Sequence, residues 1–168
     1  MVARIATIRQ WPLILVDLET EEGITGRAYL EPYIEKSMAY LVPALHHLGA
    51  ELKGQPVAPV DLYEQARKSL HFVGYEGLSM IAVAGLDMAA WDALARANEQ
   101  PLCQFLGGTV APVRAYNSNA LWLMEPAAVA EQAIELVAEG SFHGLKLRLG
   151  RDEVAQDHAA IDAVRAAV

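Results

Sequence analysis

A single cysteine, Cys103, is all the thiol chemistry that the 168 residues contain. This excludes an internal disulfide or a cysteine-cluster metal site and points to a reducing compartment, the cytoplasm. Basic residues are scarce too: 13 Lys and Arg stand against 21 Asp and Glu, for a formal net charge of −8. A nucleic-acid surface needs clustered cations to neutralise phosphates, so no nucleic-acid partner is expected, although a local basic pocket is not excluded. There is no uninterrupted apolar run of the roughly 20 residues that span a bilayer. Asp87 and Asp92 break the most apolar stretch, "MIAVAGLDMAAWDALA", and no membrane partner is expected either. Nor does the start, "MVARIATIRQ", carry the apolar segment of a signal peptide.

What is there is globular in character, with 54% hydrophobic and 20% charged residues. Residues 11–30, "WPLILVDLETEEGITGRAYL", read as a β-hairpin: "LILVDL" and "ITGRAYL" are strands around a turn that contains Gly23. Helical patterns follow from Ile34 to Leu48 and from Val60 to Phe72, separated by Pro56 and Pro59. The strongest helical pattern is "GLSMIAVAGLDMAAWDALARA", in which Leu78, Ile81, Ala82, Leu86, Ala89, Ala93 and Leu94 recur at spacings of three and four. Its small residues, Ala82, Ala84, Gly85, Ala89 and Ala90, are expected to admit a neighbouring helix at close range, and Pro101 to stop it.

After Gly107 and Gly108 the rhythm becomes β-α-β-α. "PVRAYNS" is a strand, Pro126 to Glu139 a helix with Gly140 just beyond it, "GLKLRL" a second strand, and Asp152 the cap of a last helix carrying Val154, Ile161 and Val164. Such alternation implies parallel strands with crossover helices, in a doubly wound sheet or a (β/α) barrel. Two strands close neither, so the chain reads as cut short.

The run "GLDMAAWDALARANEQPLCQFLGG" resembles the enolase superfamily, in its mandelate racemase/muconate lactonizing enzyme branch. The hairpin and "PVRAYNSN" fall in that family's order, and "RAYLEPY" and "RAYNSN" resemble its mandelate racemase group most. The resemblance implies an α+β capping domain, a β-hairpin plus helical bundle, over residues 1–112, followed by the first β-α-β-α units of an incomplete (β/α) barrel over residues 113–168. It also implies truncation at both ends, since the family's first strand, most of a mobile loop and three acidic magnesium ligands on later barrel strands find no counterpart. On this reading no residue here is a metal ligand, and Mg²⁺ belongs to the intact protein.

In "GLKLRLG" the period of two sets Lys146 and Arg148 on one face and Leu145, Leu147 and Leu149 on the other. The family carries a Lys-x-Lys pair on its second barrel strand, one lysine beside the substrate carboxylate and the other acting as the base that removes the α-proton. Lys146 matches that pair and Arg148 departs from it. A guanidinium keeps its proton near neutrality but makes a good fork for a carboxylate or enolate oxygen. The resemblance thus implies Lys146 and Arg148 as the catalytic pair, with Ser118 and Tyr33 as substrate-binding candidates: Ser118 ends the first barrel strand, and Tyr33 falls where the capping domain supplies a loop over the substrate. The alternative for the cations is an ordinary solvated strand face. His46 and His47 diverge by about 100° on a helix and cannot chelate one metal together. Asp87 and Asp92 read as caps and salt links.

The implied function is proton abstraction α to a carboxylate by a Mg²⁺-dependent enzyme, in an acid-sugar dehydratase-like lyase. The alternatives are a racemase of 2-hydroxy acids or a non-catalytic truncated product, and in each case the chain alone is expected to be inactive. The partner expected is a small-molecule carboxylate, a hydroxy acid or sugar acid, taken up by a homo-oligomer.

Overall fold

The computed structural model describes residues 12–140 and 142–168. They form two compact units that part between Val110 and Ala111. Trp11, where the hairpin reading begins, and the residues before it lie outside the described residues.

The first unit opens with the hairpin, β1 (Ile14–Glu19) and β2 (Thr25–Leu30), antiparallel and in register from Ile14 opposite Leu30 to Glu19 opposite Thr25. Gly23 takes a φ of 83° in the turn, where a side chain would be strained. Alternation sets Ile14, Gly26 and Leu30 inward and Leu15, Asp17, Arg27 and Tyr29 outward. A 3₁₀ turn at Glu35–Ser37 leads into α1 (Met38–Leu52). Then come α2 (Pro59–Ser69), with its proline at the first turn, α3 (Leu78–Ala97) and the short α4 (Leu102–Phe105). Ile14, Leu30, Leu41, Leu48, Ala82 and Val83 form the core.

Gly85 and Ala89 of α3 receive a strand rather than the expected helix, while Ala82 shares a core cluster with Leu41 and Leu48 of α1. A Cβ on Gly26 would strike the Ala89 carbonyl and lie 2.7 Å from Ala93 N, and one on Gly85 would lie 2.7 Å from Leu30 Cδ1. Glycine and alanine face each other here because β2 crosses the helix at backbone contact. By length and composition α3 could cross a membrane despite its two aspartates, but it packs against β2 first and then against α1 and α2. Nor does Pro101 stop it. The helix ends at Ala97, four residues earlier, and beyond it Asn98 Nδ2 donates to Leu94 O (2.8 Å) and Glu99 turns to a φ of 52°. Pro101 instead precedes α4.

The second unit contains α5 (Pro126–Ala138) and α6 (Val154–Ala167), packed on each other. The two expected strands are only partly formed: a single parallel bridge joins Asn117 and Leu145. Two parallel segments without flanking partners satisfy only part of their backbone, so regular pairing does not spread. Ala120, Leu121, Val129, Ala133 and Leu136 make the core, with Leu145, Leu147 and Val164 packed against it. Leu149 does not join them and is half exposed. The cap of α6 is Glu153 rather than Asp152, and Gln156 Oε1 accepts from Glu153 N at 3.3 Å.

Candidate functional site

The parallel segments of the second unit are bonded at intervals. Asn117 N donates to Gly144 O (2.9 Å), Lys146 N to Asn117 O (2.9 Å) and Arg148 N to Leu121 O (3.1 Å). Asn117 is buried and its amide is fully used: Nδ2 donates to Leu136 O (3.2 Å) and Glu139 Oε2 (3.1 Å), and Oδ1 accepts from Asn119 N (3.0 Å). This fixes where the chain leaves the first segment.

The loop that follows is strained. Ala120 and Leu121, neither of them glycine, take φ values of 61° and 49°. Such residues cost about 1–3 kcal/mol each and persist only where their surroundings hold them. Here Leu121 N donates to Gln132 Oε1 (2.9 Å), and both side chains are buried.

Arg148 closes the arrangement. Its Nη1 donates to Ala120 O (2.9 Å) and at the limit of range to Ser118 O (3.5 Å). Its Cζ lies 4.0 Å from the centre of the Trp122 ring, a cation–π contact worth about 0.5–2 kcal/mol. The guanidinium is therefore held on one face and one edge, while Nε and Nη2 have no partner among the described residues. Lys146, two positions earlier, is exposed and has no side-chain hydrogen bond or ion pair among the described residues. The pair thus joins an exposed ammonium to a held guanidinium with no carboxylate bonded to either among the described residues, which suits an anion.

Ser118 is exposed; the structure brings its carbonyl to Arg148. Tyr33 belongs to the first unit, where it is exposed with a φ of 62°, another left-handed residue that is not glycine.

A second arginine secures the far end of the Lys146 segment. Arg151 Nε and Nη2 donate to Met124 O (3.1 and 2.8 Å), and Nη1 pairs with Asp157 Oδ1 (2.8 Å). Hydrogen bonds from Gly150 N and then from Arg151 hold the Asp157 carboxyl below the usual carboxylate range. Sequence reasoning passed over Trp122, Gln132 and this clamp. The available signals were an indole beside the strand end in "ALWL" and a cation six residues before an acid, a spacing that no helix or strand rule pairs.

In the first unit, burial works against the Asp92 carboxylate, but hydrogen bonds from Arg96 Nε (2.6 Å) and Arg27 N (2.8 Å) outweigh it, and the carboxyl is held down. This is the salt link expected of it. Burial pushes Asp87 up, opposed by a Trp91 hydrogen bond. Asp87 lines a hollow of about 1260 Å³ between β1, α1, α2 and α3, with His46 and Tyr63 also in its walls. Tyr33 is not among the residues lining it. His46 and His47 are exposed, and His47 pairs with Glu51 (3.2 Å). Among the described residues no three His, Cys, Asp or Glu side chains converge to hold a metal ion.

Comparison with known proteins bears on this geometry. Residues 1–107 match the family described as mandelate racemase/muconate lactonizing enzyme, N-terminal domain. D-galactonate dehydratase of Klebsiella pneumoniae (strain 342) is 33% identical over 119 residues, which make up 68% of this chain and 31% of that protein. Similar solved structures include two enolases. An enolase from alpha proteobacterium bal199 with bound magnesium is 63% identical with a TM-score of 0.90, covering 99% of this chain and 47% of that one. An enolase from Bradyrhizobium complexed with magnesium and mandelic acid is 34% identical with a TM-score of 0.84, covering 94% and 43%. The chain spans between about a third and a half of the length of these relatives.

Proposed function

Since the chain belongs to the mandelate racemase/muconate lactonizing enzyme family, we propose that Lys146 and Arg148 hold the carboxylate of a hydroxy acid or sugar acid, and that the reaction is loss of the α-proton and the β-hydroxyl as water. The observation that carries the proposal is the setting of Arg148: two carbonyl oxygens and an indole face surround its guanidinium. All three hold the guanidinium in one orientation. A guanidinium so placed stabilises developing enediolate charge and does not take a proton. Racemisation needs a base on each face of the α-carbon, whereas elimination proceeds with one. The dehydratase among the relatives supports the same choice.

In this role Lys146 binds the substrate carboxylate, and Ser118 and Tyr33 are further substrate-binding candidates. Magnesium accompanies the similar solved enolases. The described residues do not fit a magnesium centre. We extend the proposal to a cytoplasmic homo-oligomer: Cys103 is a free thiol, and Val113, Tyr116 and Val154 are exposed apolar side chains suited to further burial.

Racemisation of a 2-hydroxy acid is the second reading, favoured by the mandelic acid bound to the Bradyrhizobium enolase. The test uses the intact enzyme. Sugar acids should yield 2-keto-3-deoxy acids, and Lys146→Met and Arg148→Met should each lower the rate by about 10² to 10³. Rapid α-proton exchange from both enantiomers of mandelate, abolished in Arg148→Met, would instead make Arg148 a base and the enzyme a racemase.

A further inference from the structure

We infer that Trp122 is the positioning residue of Arg148: it fixes the plane of the guanidinium so that Nε and Nη2 are the donors presented to a substrate carboxylate or enediolate oxygen. This rests on the anion-holding role proposed above. A guanidinium offers five N–H donors in one plane, and the described residues engage only Nη1, through Ala120 O and Ser118 O. Those two bonds set one edge but leave the plane free to rotate about it. The indole stacked 4.0 Å from Cζ removes that rotation.

Trp122 reaches this position because Ala120 and Leu121 are both left-handed. Leu121 is anchored through its N–H to Gln132 and through its carbonyl to Arg148 N. The next residue in the chain is thereby delivered to the guanidinium. The indole is 39% exposed, so filling the core does not account for it. Two strained residues are thus maintained in order to bring an aromatic face to a cation, and strain of this kind collects at sites that act on ligands.

The full 168-residue chain tests this by heteronuclear NMR of the Arg148 Nε–H group, with sodium glycolate as the probe. Ring current should move the Arg148 Hε resonance upfield in the parent chain. Trp122→Leu should return it to the ordinary arginine range and Trp122→Phe restore the shift, while the Leu121 amide resonance stays in place in both. A resonance that is unshifted in the parent, or unchanged in Trp122→Leu, overturns the inference. Glycolate should perturb the same resonance and bind about tenfold more weakly to Trp122→Leu, the size of one cation–π contact. Equal affinity in parent and variant also overturns it. If glycolate leaves the parent resonance unmoved, the anion-holding role fails, and the ring-current arm still decides whether Trp122 positions Arg148.

Discussion

The first unit is held together by apolar surfaces at close range, whereas the second adds to its apolar core side chains bonded to main-chain carbonyls. In the first unit the hairpin and helices satisfy their own backbones, so what remains is a fit of shapes: Gly26 against Ala89 and Ala93, Leu30 against Gly85. In the second unit the parallel segments form one bridge. The carbonyls of Ser118, Ala120 and Met124 are taken by Arg148 and Arg151. Main-chain groups withdrawn from water need partners, and where regular pairing stops a guanidinium can supply them.

The comparison breaks most readily at Gly26. Gly26→Val sets a side chain against helix backbone that cannot give way, and should destabilise the first unit by about 3 kcal/mol. Denaturant unfolding followed by Trp91 fluorescence reads this, and an unchanged midpoint would mean that the close crossing is not the main contact. Next is Arg151→Ala, which removes two hydrogen bonds from Met124 O and the ion pair of Asp157, leaving that carboxylate its main-chain donors. The expected loss is about 2 kcal/mol, seen as faster hydrogen exchange at the α6 amides with α3 unaffected.

Acid sharpens the contrast through two aspartates of opposite sign. The folded state holds Asp157 below its unfolded value, so its contribution is present above a pH of about 4 and is lost as pH falls through the folded value. Asp157→Asn should therefore cost stability at neutral pH and nothing in strong acid. Asp87 is pushed above its unfolded value, so its contribution is present in acid and is lost as pH rises through the folded value. Asp87→Asn should stabilise at neutral pH, with the gain vanishing below a pH of about 4. Denaturant midpoints across pH check both, and variants that shift in the same direction would remove the distinction. Smallest of all, His47→Ala breaks an exposed pair with Glu51 and should change stability by less than about 0.5 kcal/mol.

The hairpin and the three long helices of the first unit were legible in the sequence because their periods of two and 3.6 are properties of local geometry. Boundaries moved by a few residues, as at α1, which runs to Leu52 instead of Leu48. The strand partner of α3 was not legible, because a face of small residues states how closely something may come and not what it is. In the second unit alternation sets Lys146 and Arg148 on one face, and Leu145 and Leu147 pack on the other as that alternation requires. Leu149 departs from it where pairing has already ended. The setting of Arg148 was hidden, since its carbonyl partners lie 28 and 30 residues away in a loop whose left-handed turn is made without glycine.

The crossing of β2 over α3 also sets an order of events. Arg27 N and the Asp92 carboxylate that it meets are 65 residues apart, so a long loop must close before the glycine reaches the helix, whereas the hairpin closes over a short turn. Hairpin and helix can each form locally before they meet, and the expectation is that the crossing is made after the main barrier. A fault at the crossing is therefore felt after the barrier to folding has been passed: the chain with Val at position 26 would reach its folded state at nearly the parent rate and leave it sooner.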